Sequence, residues 1–318
     1  MNFWNELKQP FFALAPMEDV TNAAFRAVVN KAARPDVFFT EFMSVDGFCH
    51  PAGRESALRR LKFSPTERPI VAQIWGKEPE KFSLTAKKIA QMGFDGIDIN
   101  MGCPDKSVVK SGGGSALIEN PELAVKTIQA VKKQAGNLPV SVKTRLGARS
   151  IDEWQSWLKC LLEQDIANLT IHLRSRKEMS KVPAHYELID DVIKMRDEVA
   201  PRTLITINGD IEDRAAGLKL VAQHSGVNGV MIGRGIFHYP FCFEKSARKH
   251  ARAEYIELLK YHLDAFDELT NNPRKYQPLK KFFKIYVRDF IGAKELREKL
   301  MQTKTTAEAR EIIAQSKI

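Results

Sequence analysis

Eight short, nearly continuous apolar runs occur in the first three quarters of the chain, and segments with helical spacing lie between them. The runs cover residues 11–17, 37–42, 69–75, 96–101, 139–146, 168–173, 204–208 and 229–232. Such runs are typical of parallel strands that are buried on both faces. Because eight strand and helix units alternate within some 235 residues, the pattern predicts an α/β fold, a closed (β/α)8 TIM barrel rather than an open doubly wound sheet.

The composition is that of a soluble globular protein, with 44% hydrophobic and 28% charged residues and a mean hydropathy of −0.30. It excludes disordered chains, collagen and small disulfide scaffolds. The cysteines, Cys49, Cys103, Cys160 and Cys242, form no Cys-x-x-Cys pair, so we expect neither a disulfide framework nor a metal site. Since the sequence has no leader-like start and no run of about 18 apolar residues, we expect a cytoplasmic protein without membrane contact.

Helical spacing replaces the strand pattern after about residue 245. One predicted helical face consists of Tyr255, Leu258, Leu259, His262, Leu263, Phe266 and Leu269. A second predicted helix carries Phe282, Phe283, Tyr286, Val287 and Phe290, and residues 271–273 form the break between the two. We therefore predict a catalytic barrel domain over residues 1–243 and a small helical domain over residues 244–318.

The positive charge is concentrated in this tail. Residues 245–318 contain 17 Lys and Arg against 10 Asp and Glu, which is +7 of the total formal charge of +10. The excess is either a solvated helical surface or a surface that contacts a phosphate backbone.

Glycine-rich motifs follow the seventh and eighth runs, where TIM barrels usually bind phosphate. They are Asn208-Gly209-Asp210 and Gly233-Arg234-Gly235. Glycines let backbone N–H groups approach phosphate oxygens, and Arg234 can add a charged contact. The alternative is that both motifs are simply tight turns.

Lys143 lies inside an apolar run, so its ammonium group needs an electron-rich partner. The partner is either a carboxylate, Glu41 or Asp98, or the N1–C2=O edge of a reduced flavin. Gln73 could bind a flavin pyrimidine edge or be a satisfied core amide. His172 could likewise contact a ligand or be a structural histidine.

Cys103 lies in a polar turn at the end of the fourth run. A cysteine is commonly a small buried hydrophobe, which we expect for Cys160 and Cys242. At the end of a barrel strand, however, the thiol is placed to act as an acid or nucleophile, and a pKa of about 8.5 keeps it protonated at neutral pH. The glycines of residues 111–115 predict a mobile lid over it.

Together these residues resemble the tRNA-dihydrouridine synthase family, in its FMN-dependent bacterial type. The most specific match runs from Asn100 to Leu117. The other matches are Ala15-Pro16-Met17, Phe25-Arg26, Thr40-Glu41, Gln73, Lys143-Thr144-Arg145, His172, Asn208-Gly209-Asp210, Gly233-Arg234, Arg288-Asp289-Phe290 and Glu295-Leu296-Arg297. The chain departs from the family at His172-Leu173-Arg174, where His-Gly-Arg is common, and basic Arg176, Lys177 and Lys181 follow.

The resemblance implies an enzyme that reduces the C5=C6 bond of uridine in tRNA to 5,6-dihydrouridine, with bound FMN and with NADPH as reductant. It implies hydride transfer from N5 of FMN to C6 and a proton from Cys103 to C5. The residues implied to hold FMN are Pro16, Met17, Glu18, Gln73, Lys143, His172, Asn208, Gly209, Asp210, Gly233 and Arg234. Those placed against the uridine are Asn100, Arg145 and Arg174. No protein partner is implied.

A uridine inside folded RNA must be splayed out before it can enter a barrel, so the enzyme must hold the surrounding backbone with positive charge. Candidates for that contact are Lys280, Lys281, Lys284 and Arg288, which we expect on one short helix. Two alternatives are an FMN barrel oxidoreductase that acts on a free pyrimidine or another small molecule, and an RNA-binding protein with an inactive barrel.

Overall fold

A computed structural model describes residues 2–270 and 276–316. Its strands are β1 (Phe11–Leu14), β2 (Phe38–Phe39), β3 (Met43–Ser44), β4 (Ile70–Trp75), β5 (Gly96–Met101), β6 (Val140–Arg145), β7 (Asn168–His172), β8 (Leu204–Asn208) and β9 (Gly229–Ile232). They pair in parallel in the order β1-β9-β8-β7-β6-β5-β4-β2, and a parallel bridge between Ala13 and Val37 joins the two ends. The predicted TIM barrel is confirmed.

The second predicted strand, over residues 37–42, is interrupted in the structure. The side chain of Thr40 causes the break, because its hydroxyl accepts a hydrogen bond from the Gln73 N–H at 3.1 Å and donates to the Glu41 carbonyl at 2.9 Å. The Thr40 N–H still donates to the Val71 carbonyl at 3.0 Å, but the Gln73 N–H bonds the Thr40 side chain, and the regular ladder stops there. The chain resumes pairing with β4 only at β3, where Met43 lies opposite Ile74.

Helices alternate with the strands around the barrel and then follow it. They are α1 (Ala23–Ala32), α2 (Val45–Cys49), α3 (Arg54–Arg59), α4 (Pro79–Ile89), α5 (Lys106–Lys110), α6 (Pro121–Gln134), α7 (Trp154–Leu162), α8 (Ile189–Val199), α9 (Arg214–Gln223), α10 (Gly235–His238), α11 (Arg252–Thr270), α12 (Tyr276–Leu279), α13 (Phe283–Tyr286), α14 (Ala293–Gln302) and α15 (Thr306–Gln315). Across residues 2–270 and 276–316, none is long and apolar enough to span a lipid bilayer.

The interior of the barrel changes from apolar to polar. Trp4 is buried at one end and packs against Phe11 and Phe39, with ring centroids 5.4 and 6.4 Å apart. Strands β5 to β8 instead carry buried polar side chains that bond to each other across strands. Ser141 donates to Asp98 at 2.6 Å, and Thr206 donates to Asn168 at 2.7 Å. Buried polar groups of this kind are stable because their hydrogen bonds are satisfied.

The tail packs against the barrel through aromatic residues. Phe282 stacks on Phe25 of α1 with centroids 4.6 Å apart, and the His262 ring of α11 lies 5.7 Å from the same Phe25 ring. Within the tail, Tyr286 hydrogen-bonds His262 at 2.9 Å. The first predicted tail helix agrees with α11. The second is not continuous, since α12 and α13 are short and residues 280–282 between them form a 3-10 turn. The predicted break at residues 271–273 lies outside the described residues, and the domain boundary at residue 243 stays a prediction.

Candidate active site

A cavity of about 540 Å³ opens at the C-terminal ends of the barrel strands. TIM-barrel enzymes have their active sites at this end. The sequence-predicted residues on its wall are Pro16, Met17, Asn100, Cys103, Lys143, Arg145, His172, Asn208, Gly209, Asp210, Gly233 and Arg234. The structure therefore brings together side chains from both ends of the barrel sequence.

The loops after β8 and β9 form one side of this cavity. Gly209 has a φ of +127°, which favours glycine, and Asp210 follows at +51°. The Asp210 carboxylate is held by Arg174, by Arg234 at 3.1 Å and by the Ala184 N–H at 3.0 Å. The two glycine motifs therefore form packed turns that are joined by the ion pair between Asp210 and Arg234.

Glycine is also required where these two loops touch. A Cβ atom at Gly235 would overlap the backbone oxygen of Glu212, whereas one at Gly233 would meet nothing closer than 3.6 Å. The backbone at Gly233 is therefore open toward the cavity, and it lies beside Arg234. This combination suits a phosphate group.

Lys143 is half-buried at the cavity wall. Its Nζ donates weakly to Asn208 Oδ1 at 3.4 Å, and no carboxylate of the described residues lies within 4.0 Å of it. Burial, together with the charge of Arg145, lowers the pKa of Lys143 to about 8. The carboxylate alternative is not observed, because neither Glu41 nor Asp98 forms an ion pair with Lys143 in the described part of the chain, and the ammonium group faces the cavity without a protein counter-ion.

Asp98 uses its carboxylate elsewhere in the interior. It accepts hydrogen bonds from Gln73 at 2.7 Å and from Ser141 at 2.6 Å, and burial raises its pKa to about 6. The Gln73 amide in turn accepts from Asn100 at 3.0 Å. Gln73 is thus placed behind the cavity wall as a satisfied amide, and it reaches the cavity only through Asn100.

His172 carries a polar atom that has no partner. Its Nδ1 is buried and unbonded within the described residues. Burial and the nearby charges of Arg145 and Lys143 hold its pKa far below the usual range, so the imidazole is neutral at physiological pH. An orphaned buried nitrogen on a cavity wall is able to bond a ligand or a water molecule.

Cys103 lies at the same wall, at the end of β5. Burial raises the pKa of its thiol above the ordinary value, so the thiol is protonated at neutral pH. Its carbonyl accepts hydrogen bonds from the Ser115 N–H at 3.1 Å and the Ser115 hydroxyl at 2.8 Å. A Cβ at Gly114 would crowd Val108 and Cys103. The glycine segment therefore packs against Cys103 in this structure, and its movement as a lid stays a prediction.

Arg145, the last residue of β6, joins the loops after β5 and β7 at the cavity. Its Nε donates to the Gly102 carbonyl at 2.9 Å, and its Nη1 donates to the carbonyls of Ser175 and Met179 at 3.1 and 3.0 Å. Burial lowers its pKa to about 10, which still leaves a cation at neutral pH. Arg145 thus fixes the turn of Cys103 and keeps a charge at the cavity wall.

Two further predicted residues lie away from the cavity wall. Glu18 forms an ion pair with Arg60. The side chain of Arg174 is only 2% exposed, donates to the Val182 carbonyl at 2.6 Å and pairs with Asp210. Arg174 therefore supports the loop after β8, and the contact with substrate that the resemblance implies for it stays a prediction.

The expectation that the four tail cations lie on one short helix is wrong, because Lys280 and Lys281 lie in the 3-10 turn and Lys284 lies on α13. Lys280 is buried and donates to the Met301 carbonyl at 2.9 Å, and Lys281 donates to the Asp19 carbonyl. Arg288 lies beyond α13, where it donates to the His238 carbonyl at 2.7 Å. These three groups are engaged within the protein, whereas Lys284 is exposed.

Sequence reasoning missed Phe42, Glu212 and His238, which also line the cavity. Phe42 ends the second apolar run, so its position at a strand end was a usable signal. Glu212 and His238 lie several residues beyond β8 and β9, and only the folded loops bring them to the wall.

The fold and the position of the cavity define a TIM-barrel enzyme. The chain matches the family model described as dihydrouridine synthase (Dus) over residues 13–318. It belongs to this family, and it is therefore an oxidoreductase that acts on CH–CH groups.

Curated relatives agree with this assignment. The chain is 58% identical over 313 residues to a "Probable tRNA-dihydrouridine synthase" of Staphylococcus aureus (strain COL), covering 98% of this chain and 94% of the relative. It is 57% identical to "Probable tRNA-dihydrouridine synthase 2" of Bacillus subtilis (strain 168), covering 98% and 95%.

Among solved structures, a 2-naphthoyl-CoA reductase in complex with 2-naphthoyl-CoA is similar, with a TM-score of 0.58 and 10% sequence identity. The match covers 77% of this chain and 51% of that one, so the chain spans about half the length of the reductase. At this identity the similarity concerns the fold alone.

Proposed function

We propose that this protein is a tRNA-dihydrouridine synthase that reduces the C5=C6 bond of uridine in tRNA, with FMN as bound cofactor and NADPH as reductant. The observation that carries the proposal is that a protonated thiol, Cys103, and an uncompensated ammonium group, Lys143, line one cavity at the C-terminal end of the barrel. The first can supply a proton, and the second can bind a ring that carries negative charge.

The wall of the cavity fits FMN. The open backbone at Gly233 and the charge of Arg234 suit its phosphate, and the loop at Gly209 borders the same place. Lys143 and the orphaned Nδ1 of His172 suit the polar edge of its ring. Reduced FMN held by these residues would supply the hydride chemistry for C6 of the uracil. The cavity volume of about 540 Å³ lies within the range of roughly 300–1,000 Å³ that is typical of ligand sites, so the cavity is large enough for FMN.

Cys103 supplies the proton to C5 in this scheme. Burial favours the neutral thiol before transfer, and the charges of Lys143 and Arg145 stabilise the thiolate after it. Asn100 holds the backbone of the Cys103 turn, and Arg145 holds it from the other side through Gly102. Asn100 and Arg145 also reach the cavity wall, where they orient the uracil.

The substrate is inferred from the names of the relatives, which are tRNA-dihydrouridine synthases. A uridine within a folded RNA reaches this cavity only when it is splayed out of its stack. The helical tail, with a charge of +7, is proposed as one surface that holds the RNA. Because the proposed substrate is tRNA, we also propose a cytoplasmic location.

The proposal is tested with purified enzyme, NADPH and unmodified tRNA, followed by mapping of dihydrouridine in the RNA. Free uridine and UMP are assayed in parallel. We expect a yellow protein with flavin absorbance near roughly 370 and 450 nm, and dihydrouridine at defined tRNA positions. Reduction of free uridine or UMP with no product in tRNA would instead identify a small-molecule reductase. A colourless protein that FMN cannot reconstitute would overturn the flavin assignment.

A further inference from the structure

A second depression, of about 470 Å³, lies beside the active-site cavity, and Pro104 lines both. Every charged residue on its wall is basic. These residues, which together are termed the rim groove, are Lys106, Lys110, Arg149, Arg176 and Lys177. The groove therefore begins one residue from Cys103 and carries positive charge away from it along the barrel rim.

Three barrel loops build the groove, and hydrogen bonds fix them together. Glu119 accepts from Arg149 of the loop after β6 at 2.9 Å and from Arg176 of the loop after β7 at 2.6 Å. Arg176 also donates to the Ser115 carbonyl at 3.3 Å, and Ser115 in turn holds Cys103. The position of the groove relative to the thiol is thus set by direct contacts.

Three of the five cations make no hydrogen bond or ion pair with the described residues of the protein. Lys106, Lys110 and Lys177 are exposed, and their ammonium groups donate to no protein group among residues 2–270 and 276–316. Glu119 binds both arginines, so the groove and its bound carboxylate together carry five cations against one anion, whereas the barrel residues 1–244 carry a net charge of only +3. Such a concentration is repulsive by itself and creates a potential that attracts a polyanion.

We propose that the rim groove binds the phosphate backbone of the RNA next to the uridine that enters the active-site cavity. This inference rests on the proposed function and adds a second RNA surface, on the barrel, to the one proposed for the tail. Backbone phosphates held by Lys106, Lys110 and Lys177 place the flanking nucleotides at Pro104, from which the splayed uridine reaches Cys103. The contacts carry no sequence information, so they serve affinity and orientation.

The test compares two triple variants of the full-length flavoprotein. One is Lys106→Gln/Lys110→Gln/Lys177→Gln in the groove. Its matched control is Lys87→Gln/Lys88→Gln/Lys133→Gln, which removes three exposed lysines from the outer helices α4 and α6. Binding of unmodified tRNA is measured over a series of salt concentrations. Flavin content and the urea midpoint of each variant are measured as checks on folding.

We expect the groove variant to bind tRNA about 10-fold or more weakly at about 0.1 M salt, and its salt slope to fall by roughly one unit per lost phosphate contact. The control variant should keep the slope of the wild type. As a second substitution at one site, Lys110→Glu should weaken binding more than Lys110→Gln does, because it adds repulsion to the lost attraction.

An unchanged salt slope in the groove variant would overturn the inference. So would a rise in the KM for NADPH with unchanged tRNA binding, because the groove would then hold the phosphates of the dinucleotide. If the wild-type enzyme itself formed no complex with tRNA, the proposed substrate would be wrong and the inference would fall with it. The three results are distinguishable because RNA binding and NADPH oxidation are separate measurements.

Discussion

The side chain of Asn100 holds the backbone of Cys103, since Asn100 Oδ1 accepts a hydrogen bond from the Cys103 N–H at 2.9 Å and another from the Gly102 N–H at 3.1 Å. The Nδ2 group of Asn100 donates to Gln73, which donates to Asp98 in the barrel interior. A chain of satisfied hydrogen bonds therefore links the buried polar layer of the barrel to the turn that carries the thiol. The position of Cys103 is a property of the barrel and not of a free loop.

Removal of the Asn100 amide should displace the Cys103 turn. We expect Asn100→Ala to slow uridine reduction by pre-reduced enzyme by about 10- to 100-fold, because small errors in the placement of a reacting group cost about that much. The measurement is the single-turnover rate of dihydrouridine formation. The control is Asn120→Ala, which removes a side chain that caps α6 by bonding the Leu123 N–H. An equal loss of rate in both variants would contradict the positioning role.

Lys143 should lower the free energy of unfolding of the flavin-free protein at neutral pH, because its charge is desolvated without a counter-ion. Its pKa is about 8 in the folded protein and about 10.4 in the unfolded chain. Between these values the unfolded state binds more protons, so the contribution of Lys143 to stability rises with pH. We expect Lys143→Met to stabilise the flavin-free protein at pH 7 by about 1–3 kcal/mol and to lose this advantage above about pH 10.

The measurement for Lys143 is urea unfolding of flavin-free protein at several pH values, with Lys133→Met on the exposed face of α6 as control. Lys143→Met should also weaken FMN binding at pH 7, since a cation at the ring edge is lost. A stability difference that does not change with pH would show that the ammonium group is not the source of the effect.

Two kinds of lysine in the tail should respond differently to substitution. Lys280 is buried and bonded to the Met301 carbonyl, so Lys280→Gln should lower the free energy of unfolding by about 1–3 kcal/mol.

Lys284 and Lys294 are exposed beside one basic groove of the tail. Lys284→Gln/Lys294→Gln should leave stability unchanged and lower the salt slope of tRNA binding by roughly two units. A salt slope equal to that of the wild type would show that Lys284 and Lys294 do not contact RNA and belong to a solvated surface.

Much of the barrel was predictable because its strands are buried on both faces and appear as apolar runs. The break at Thr40 was not, since it depends on a hydrogen bond between the Thr40 side chain and Gln73, which is distant in sequence. The predicted helix over residues 282–290 failed for a related reason. Its apolar spacing was correct, but Phe282 stacks on Phe25 of the barrel, and this tertiary contact accompanies a 3-10 turn.

The cavity residues were predictable where they end a strand, because all parallel strands end at the same edge of the barrel. What the sequence could not provide was the partner of each polar group. Arg174 pairs with Asp210 and Lys280 bonds the Met301 carbonyl, and both contacts join segments more than 20 residues apart. The rim groove was hidden for the same reason, because its five cations come from three separate loops.

The central claim is that Cys103 donates the proton when uridine in tRNA is reduced. It is tested most directly by the rate of dihydrouridine formation in unmodified tRNA by pre-reduced Cys103→Ala enzyme, with Cys160→Ala on α7 as control. We predict that Cys103→Ala keeps its flavin and its reduction by NADPH but forms dihydrouridine about 10²-fold or more slowly, while Cys160→Ala retains the wild-type rate. A wild-type rate in Cys103→Ala would contradict the claim.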